Sequence, residues 1–149
     1  MKHYGKIMGV VLAVGAFAVC LAICGCSSGG TQSAAGSLKD GSYIGQSSVL
    51  DANVDGDGYV VVSIKVADGK LADASFEAYE PDGTLKDKDY GKDGAYYAVA
   101  QKALSAGDDY LEQFKTTGDP QSIDAVSGAT YLHDMFVEAA QGALDEAAK

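Results

Sequence analysis

Between Tyr59 and Val66 the chain alternates. Val60, Val62, Ile64 and Val66 fall on one side, Tyr59, Val61, Ser63 and Lys65 on the other. Period two with β-branched residues predicts a strand. Asp68-Gly69 is a tight-turn signal, and Leu71 to Tyr79 alternates again, so the two runs predict a β-hairpin over 59–79. Ala72, Ala74, Phe76 and Ala78 give its second strand a mostly small face, suited to a closely packed helix. A further strand is expected at Ser42–Val49, after Asp40-Gly41.

Downstream the period changes. Tyr96, Val99, Ala100, Ala103 and Leu104 recur at helical spacing and predict a helix over Ala95–Ser105. Gly107 is expected to stop it, with Asp108 capping a second short helix through Phe114. Gly118-Asp119-Pro120 breaks that segment. A last helix runs from about Thr130 to Ala148 on a stripe of Leu132, Met135, Phe136, Ala139 and Ala143. Strands first and helices second predict an α+β fold: a small antiparallel sheet packed against C-terminal helices.

The N-terminus has a different pattern. Met1 to Lys6 is short and basic, and Met8 to Ile23 is apolar over about 16 residues. That is short of the roughly 20 a spanning helix needs, and suits the core of a signal peptide. Ile23-Cys24-Gly25-Cys26 resembles a lipobox, in which Cys26 is lipidated and becomes the mature N-terminus. Cys20 and Cys24 are preceded by Val19 and Ile23, where a small residue is wanted. Three segments are therefore expected: a lipoprotein signal peptide at 1–25, a flexible Gly/Ser/Ala tether at 26–38 and a folded domain at 39–149. With Cys26 lipidated and the other two cysteines removed, thiol and disulfide chemistry is excluded. Acyl chains at Cys26 give stable membrane anchoring without a span.

All 11 basic residues are lysine, against 21 acids. Without Lys2 and Lys6, nine lysines face the same 21 acids, a net of −12. Such a surface excludes strong nucleic-acid binding and attraction to anionic headgroups. His133 is the one histidine outside the leader, so a histidine metal cluster or a Ser-His-Asp hydrolase has little to build on. It lies one turn into the last helix and is expected to be an exposed helix histidine, with an approach to a phosphate at the neighbouring Asp124–Thr130 run as the other reading. Asp51-Ala52-Asn53-Val54-Asp55-Gly56 opens like a calcium loop, but the twelfth position is Val62 in place of a bidentate Glu, and the flanks are strands. A Gly/Asp-rich hairpin loop is the expectation there, with no metal site.

The remaining candidate chemistry is Asp124-Ala125-Val126-Ser127-Gly128-Ala129-Thr130. It is a turn that delivers a hydroxyl to a helix start. Gly128 allows close backbone approach and Ala129 leaves room. Thr130 is expected at the N-cap, where unpaired N–H groups and the helix dipole favour an anion. Ordinary capping by Ser127 or Thr130 is the plainer reading of the same residues.

This run resembles the signature of the FMN-binding domain family, Asp-x-x-Ser-Gly-Ala-Thr. The family includes flavinylated surface lipoproteins and the flavin-carrying subunits of sodium-pumping NADH:quinone reductase and related ion-pumping complexes. The resemblance implies that a flavin transferase joins FMN through its phosphate to the hydroxyl of Thr130. Asp124, Ser127, Gly128 and Ala129 complete the cofactor-binding motif. It extends over about residues 39–147, through Asp40-Gly41-Ser42-Tyr43, Asp68-Gly69-Lys70 and Asp82-Gly83. The chain departs from the family after the motif, with Tyr131-Leu132-His133 where small hydroxylated residues are common.

The resemblance implies a lipid-anchored extracytoplasmic flavoprotein that relays electrons between a donor and an acceptor, without independent substrate catalysis. An arginine-free anionic domain would hold free FMN poorly, which fits covalent attachment. Tyr79, Tyr90, Tyr96 and Tyr97 could wall the flavin ring or serve as packing residues. Two other functions remain open at this level: a redox input module for a partner reductase, and an unflavinylated ligand-binding surface lipoprotein.

Overall fold

The computed structural model describes residues 37–51 and 57–149. The signal peptide, Cys26, nearly all of the tether and Ala52–Gly56 of the calcium-like loop lie outside the described residues. Three antiparallel strands, β1 (Gly41–Gln46), β2 (Tyr59–Ala67) and β3 (Lys70–Tyr79), form one sheet in the order β1-β2-β3. Helix α1 (Tyr97–Thr117), a short 3-10 turn (Pro120–Ser122) and helix α2 (Thr130–Ala148) follow. This is the expected α+β arrangement. Among the described residues no helix is long and apolar enough to cross a membrane.

Val60, Val62, Ile64 and Val66 of β2 are all buried, on the face that carries both helices. The centre of the core is aromatic. Phe136 of α2 has the rings of Phe76, Tyr110 and Phe114 about it at centroid distances of 5.8, 6.0 and 6.0 Å. Truncating so central a ring typically costs about 3–5 kcal/mol. The hairpin turn needs positive φ at both central residues, and Asp68 (54°) and Gly69 (70°) supply it. The small residues of α2 let it lie directly on β1: a methyl group at Gly45 would collide with the Ala139 carbonyl.

Three sequence expectations change. β1 ends at Gln46, short of the expected Val49. Gly107 does not end a helix; α1 runs unbroken through it. The ring of Phe76 lies where a side chain at 107 would be, so packing offsets the roughly 1 kcal/mol that a mid-helix glycine costs. Ala72 is exposed while Ala74 and Ala78 are buried. The cause is a register shift at Lys65/Val66, which pairs Leu71 with Val66 but Asp73 with Lys65 and leaves Ala72 without an opposite residue. At the other end, α1 stops at Gly118, whose φ of 68° caps the helix by donating to Phe114 O at 2.7 Å.

The calcium-like loop is closed by a bridge between Leu50 and Gly58. Val62, at its twelfth position, is fully buried in β2 and offers nothing to a cation.

Candidate functional site

The motif is a loop clamped from behind. Val126 O accepts from Ala129 N–H at 3.0 Å, which closes a β-turn over Ser127-Gly128. Gly128 is its third residue, with φ 89°, where a type II turn requires positive φ. A Cβ there would meet nothing within 4 Å. Glycine is therefore set by backbone conformation, not by crowding, and the space beside it is open.

Three side chains hold this loop. The Tyr110 phenol, fully buried, accepts from Val126 N–H at 3.0 Å and donates to Ala129 O at 3.2 Å. Burial raises its pKa, so it stays protonated and able to donate. Gln113 Oε1 accepts from Asp124 N–H at 2.8 Å. His133 Nε2 lies 3.0 Å from Ile123 O; a carbonyl only accepts, so Nε2 carries the hydrogen. The expectation of an exposed helix histidine does not hold. The His133 side chain is only 18% exposed, because the chain folds back over it at Ile123.

The motif residues come together in this one loop. Asp124, Ser127, Gly128 and Thr130 are exposed, and Ala129 is buried. Thr130 is one position further along than expected: Ala129 occupies the N-cap and Thr130 is the first helical residue. No side chain caps α2. The Thr130 hydroxyl makes no hydrogen bond among the described residues. It stands free at the positive end of a 19-residue helix.

Beside it opens a cavity of about 630 Å³, within the ordinary range for small-molecule pockets. Gly128, Ala129, Thr130 and Tyr131 form one wall, continued by Leu132 and Met135 of α2. Val99, Ala100, Ala103 and Leu104 of α1 form another. Tyr59, Tyr90, Tyr96 and Tyr131 give it an aromatic lining. Of the tyrosines named from sequence, Tyr90 and Tyr96 line the cavity. Tyr79 and Tyr97 do not: Tyr79 stacks on Tyr59 at 5.1 Å, and the Tyr97 hydroxyl donates to Lys88 O.

Lys86 was not anticipated. It lines the cavity with its side chain only 6% exposed. Its ammonium donates to Asp57 O, lies 3.4 Å from Asp57 Oδ1 and sits 4.6 Å from the Tyr90 ring centroid. Tyr90 Oη donates to the same carboxylate at 3.3 Å. Burial first, and then the Asp57 charge, push the Tyr90 phenol up to about 12, so it is neutral at any physiological pH. In sequence, Lys86 is one of several lysines in an Asp/Lys run, with nothing to separate it from exposed Lys88.

The arrangement suits FMN. A helix N-terminus with a free hydroxyl is an anion and phosphate position, and an aromatic and aliphatic cavity of this size beside it suits a flat heteroaromatic ring. Among the described residues, no cluster of three or more His, Cys, Asp or Glu is placed to hold a metal.

Fold and cavity define a small two-layer α+β ligand-binding domain. The model of the FMN-binding domain family matches residues 53–145, and the chain belongs to that family. It is a flavin-binding protein. A crystal structure of a Clostridium perfringens protein is similar in fold, with a TM-score of 0.58 and 24% identity over 74% of this chain and 88% of that one. A solution structure from Clostridium thermocellum is 26% identical over 75% of this chain and 94% of that one, with a TM-score of 0.45. No curated protein matches the chain.

Proposed function

We propose that this chain is an extracytoplasmic electron-relay protein, anchored through lipid on Cys26 and carrying FMN joined through its phosphate to Thr130. The observation that carries the reading is the Thr130 hydroxyl, exposed and without a hydrogen bond among the described residues, at the head of α2 and on the wall of an aromatic cavity. A hydroxyl used as a cap would be occupied; this one is available to a flavin transferase. The phosphodiester would lie against the free N–H groups of the first turn of α2. Esterification also removes one negative charge from a phosphate held by an anionic domain.

The flavin, when bound, supplies reversible electron uptake. The chain's own residues do the rest. Tyr110, Gln113 and His133 hold the loop that presents Thr130. The apolar residues of α1 and α2 give the ring a surface to pack on. Among the described residues lining the cavity there is no Asp, Glu or His to act as a base on a separate substrate, which favours relay over catalysis.

Intact-mass spectrometry tests the whole reading on protein co-expressed with a flavin transferase and extracted from membranes. The expected species begins at lipid-bearing Cys26 and carries the mass of FMN less water through denaturation. Thr130→Ala is expected to lose the flavin completely and keep the lipid. It should stay folded, because Thr130 is not the cap and its loss costs less than the roughly 1 kcal/mol of a capping residue. A flavin retained in Thr130→Ala would move the attachment to another hydroxyl, with Ser127 nearest. A flavin-free wild type beside an active transferase would overturn the reading.

A further inference from the structure

The domain is strongly anionic, yet among the described residues the single charged side chain lining the cavity is a cation. Among the residues lining it there is no Asp, Glu, Arg or His, only Lys86. Its partner Asp57 is not on the cavity wall. The pair therefore presents its lysine to the cavity, with the ammonium over the ring of cavity-lining Tyr90. Lysine has three N–H donors. Among the described residues Asp57 supplies both acceptors, the carbonyl and Oδ1, which leaves one N–H for whatever fills the cavity. Because Lys86 is nearly buried, its field there is weakly screened.

We propose that Lys86 is the redox-setting residue of this site: it stabilises the negative charge that the flavin ring acquires on reduction. An oxidised ring that takes up two electrons and one proton gains one net negative charge. A fixed cation beside it favours that state over the neutral oxidised ring. The acidic surface acts in the opposite sense, so Lys86 decides the local sign. The proposal rests on the reading that the flavin ring of a Thr130-linked FMN occupies this cavity.

The test compares wild type, Lys86→Met, Lys86→Arg and Asp57→Asn, each flavinylated and checked by intact mass, in spectroelectrochemical titrations where the electrode supplies the electrons. Lys86→Met should label like wild type and shift its equilibrium toward the oxidised form by about tenfold, which is about 30 mV lower for a two-electron couple. Lys86→Arg should keep the wild-type potential, and Asp57→Asn should move it the other way. Opposite signs separate a charge effect from disturbed packing, which would move both the same way. An unchanged potential in Lys86→Met, shifts of one sign in both variants, or lost labelling in Lys86→Met would each overturn the proposal.

A second measurement needs no attached flavin. Unlabelled protein is titrated with the anionic probe 8-anilinonaphthalene-1-sulfonate and the neutral probe N-phenyl-1-naphthylamine. Lys86→Met removes a charged hydrogen-bond partner and should weaken the anionic probe by about tenfold or more. The neutral probe should bind nearly as before. Equal weakening of both probes would show a packing role and overturn the proposal, even if Thr130 carries flavin; equal binding of both by wild type and variant would overturn it too.

Discussion

Two loops meet at the cavity, and they are built differently. On one side, Asp124–Ala129 is held through its backbone: the clamps on Asp124, Val126 and Ala129 bind main-chain N–H and C=O groups. Its side chains are small, and most are exposed. On the other side, Pro81–Tyr96 contributes side chains: Lys86, Tyr90 and Tyr96. Two of these are fixed by Asp57, about thirty residues earlier in the chain. The first loop positions an attachment point. The second supplies the surroundings of the ring. A backbone device is written in local sequence, because turn type and helix start demand particular residues at particular places. A side-chain device depends on which distant element happens to fold beside it.

Breaking the backbone clamp should have the largest effect. Tyr110→Phe keeps the ring in the Phe136 cluster but removes the oxygen that serves Val126 N–H and Ala129 O. Val126 N–H is then left without its partner, while Ala129 O keeps the His133 N–H at 2.9 Å. Leaving a part-buried donor unpaired costs about 1–3 kcal/mol. Urea unfolding should show a lower midpoint with unchanged slope. Labelling by a flavin transferase should slow as well, since the loop no longer holds Thr130 in place. An unchanged midpoint would mean that the clamp is not what fixes the motif.

Next in size is Gly128→Ala. With open space around the position, the cost is purely that of holding a side chain at positive φ, about 1–2 kcal/mol. Gly128→Asn should recover part of it, because asparagine tolerates that region better. The same urea midpoints decide. If alanine and asparagine cost the same, crowding by something other than conformation is responsible.

The contrast between the loops also explains which parts of the molecule could be read from sequence. The alternation of Val60 to Val66, the Asp68-Gly69 turn and the apolar stripe of α2 are local patterns, and the structure follows them. So is the Asp124–Thr130 turn, apart from a shift of one residue in which Thr130 enters the helix and Ala129 takes the cap. Gly107 was misleading because its reason is a distant ring, Phe76 on β3. Ala72 was misleading because alternation gives no warning of a register shift in the partner strand. His133 is held by Ile123, ten residues back across a loop that no periodicity describes. Lys86 was hidden in a charge run, where burial and exposure share one vocabulary. Each of these four residues is determined by a tertiary neighbour.

The smallest effect should come from loosening the side-chain loop. Tyr90→Phe removes a single hydrogen bond, 3.3 Å long, from a half-buried hydroxyl to a carboxylate that keeps Lys86. At neutral pH the loss should be below about 1 kcal/mol, well under that of Tyr110→Phe. The pH dependence is more telling. In the folded protein the Tyr90 phenol is raised to about 12 from an ordinary value of 10.0, by burial first and by the Asp57 charge second. A raised pKa means that the folded state holds the proton more tightly than the unfolded state does. That contribution is fully present below about pH 10 and is lost as pH rises through about 12. Phenylalanine has no such proton. The stability advantage of wild type over Tyr90→Phe should therefore hold from neutrality to about pH 10 and shrink above it, whereas lysine titration is common to both proteins and cancels in the difference. Urea midpoints of the two proteins, measured as a pair across that range, give the answer. A difference that stays flat would mean that Tyr90 is solvated like any surface tyrosine. It would also mean that the Lys86–Asp57–Tyr90 group is too loose to hold a charge against the cavity.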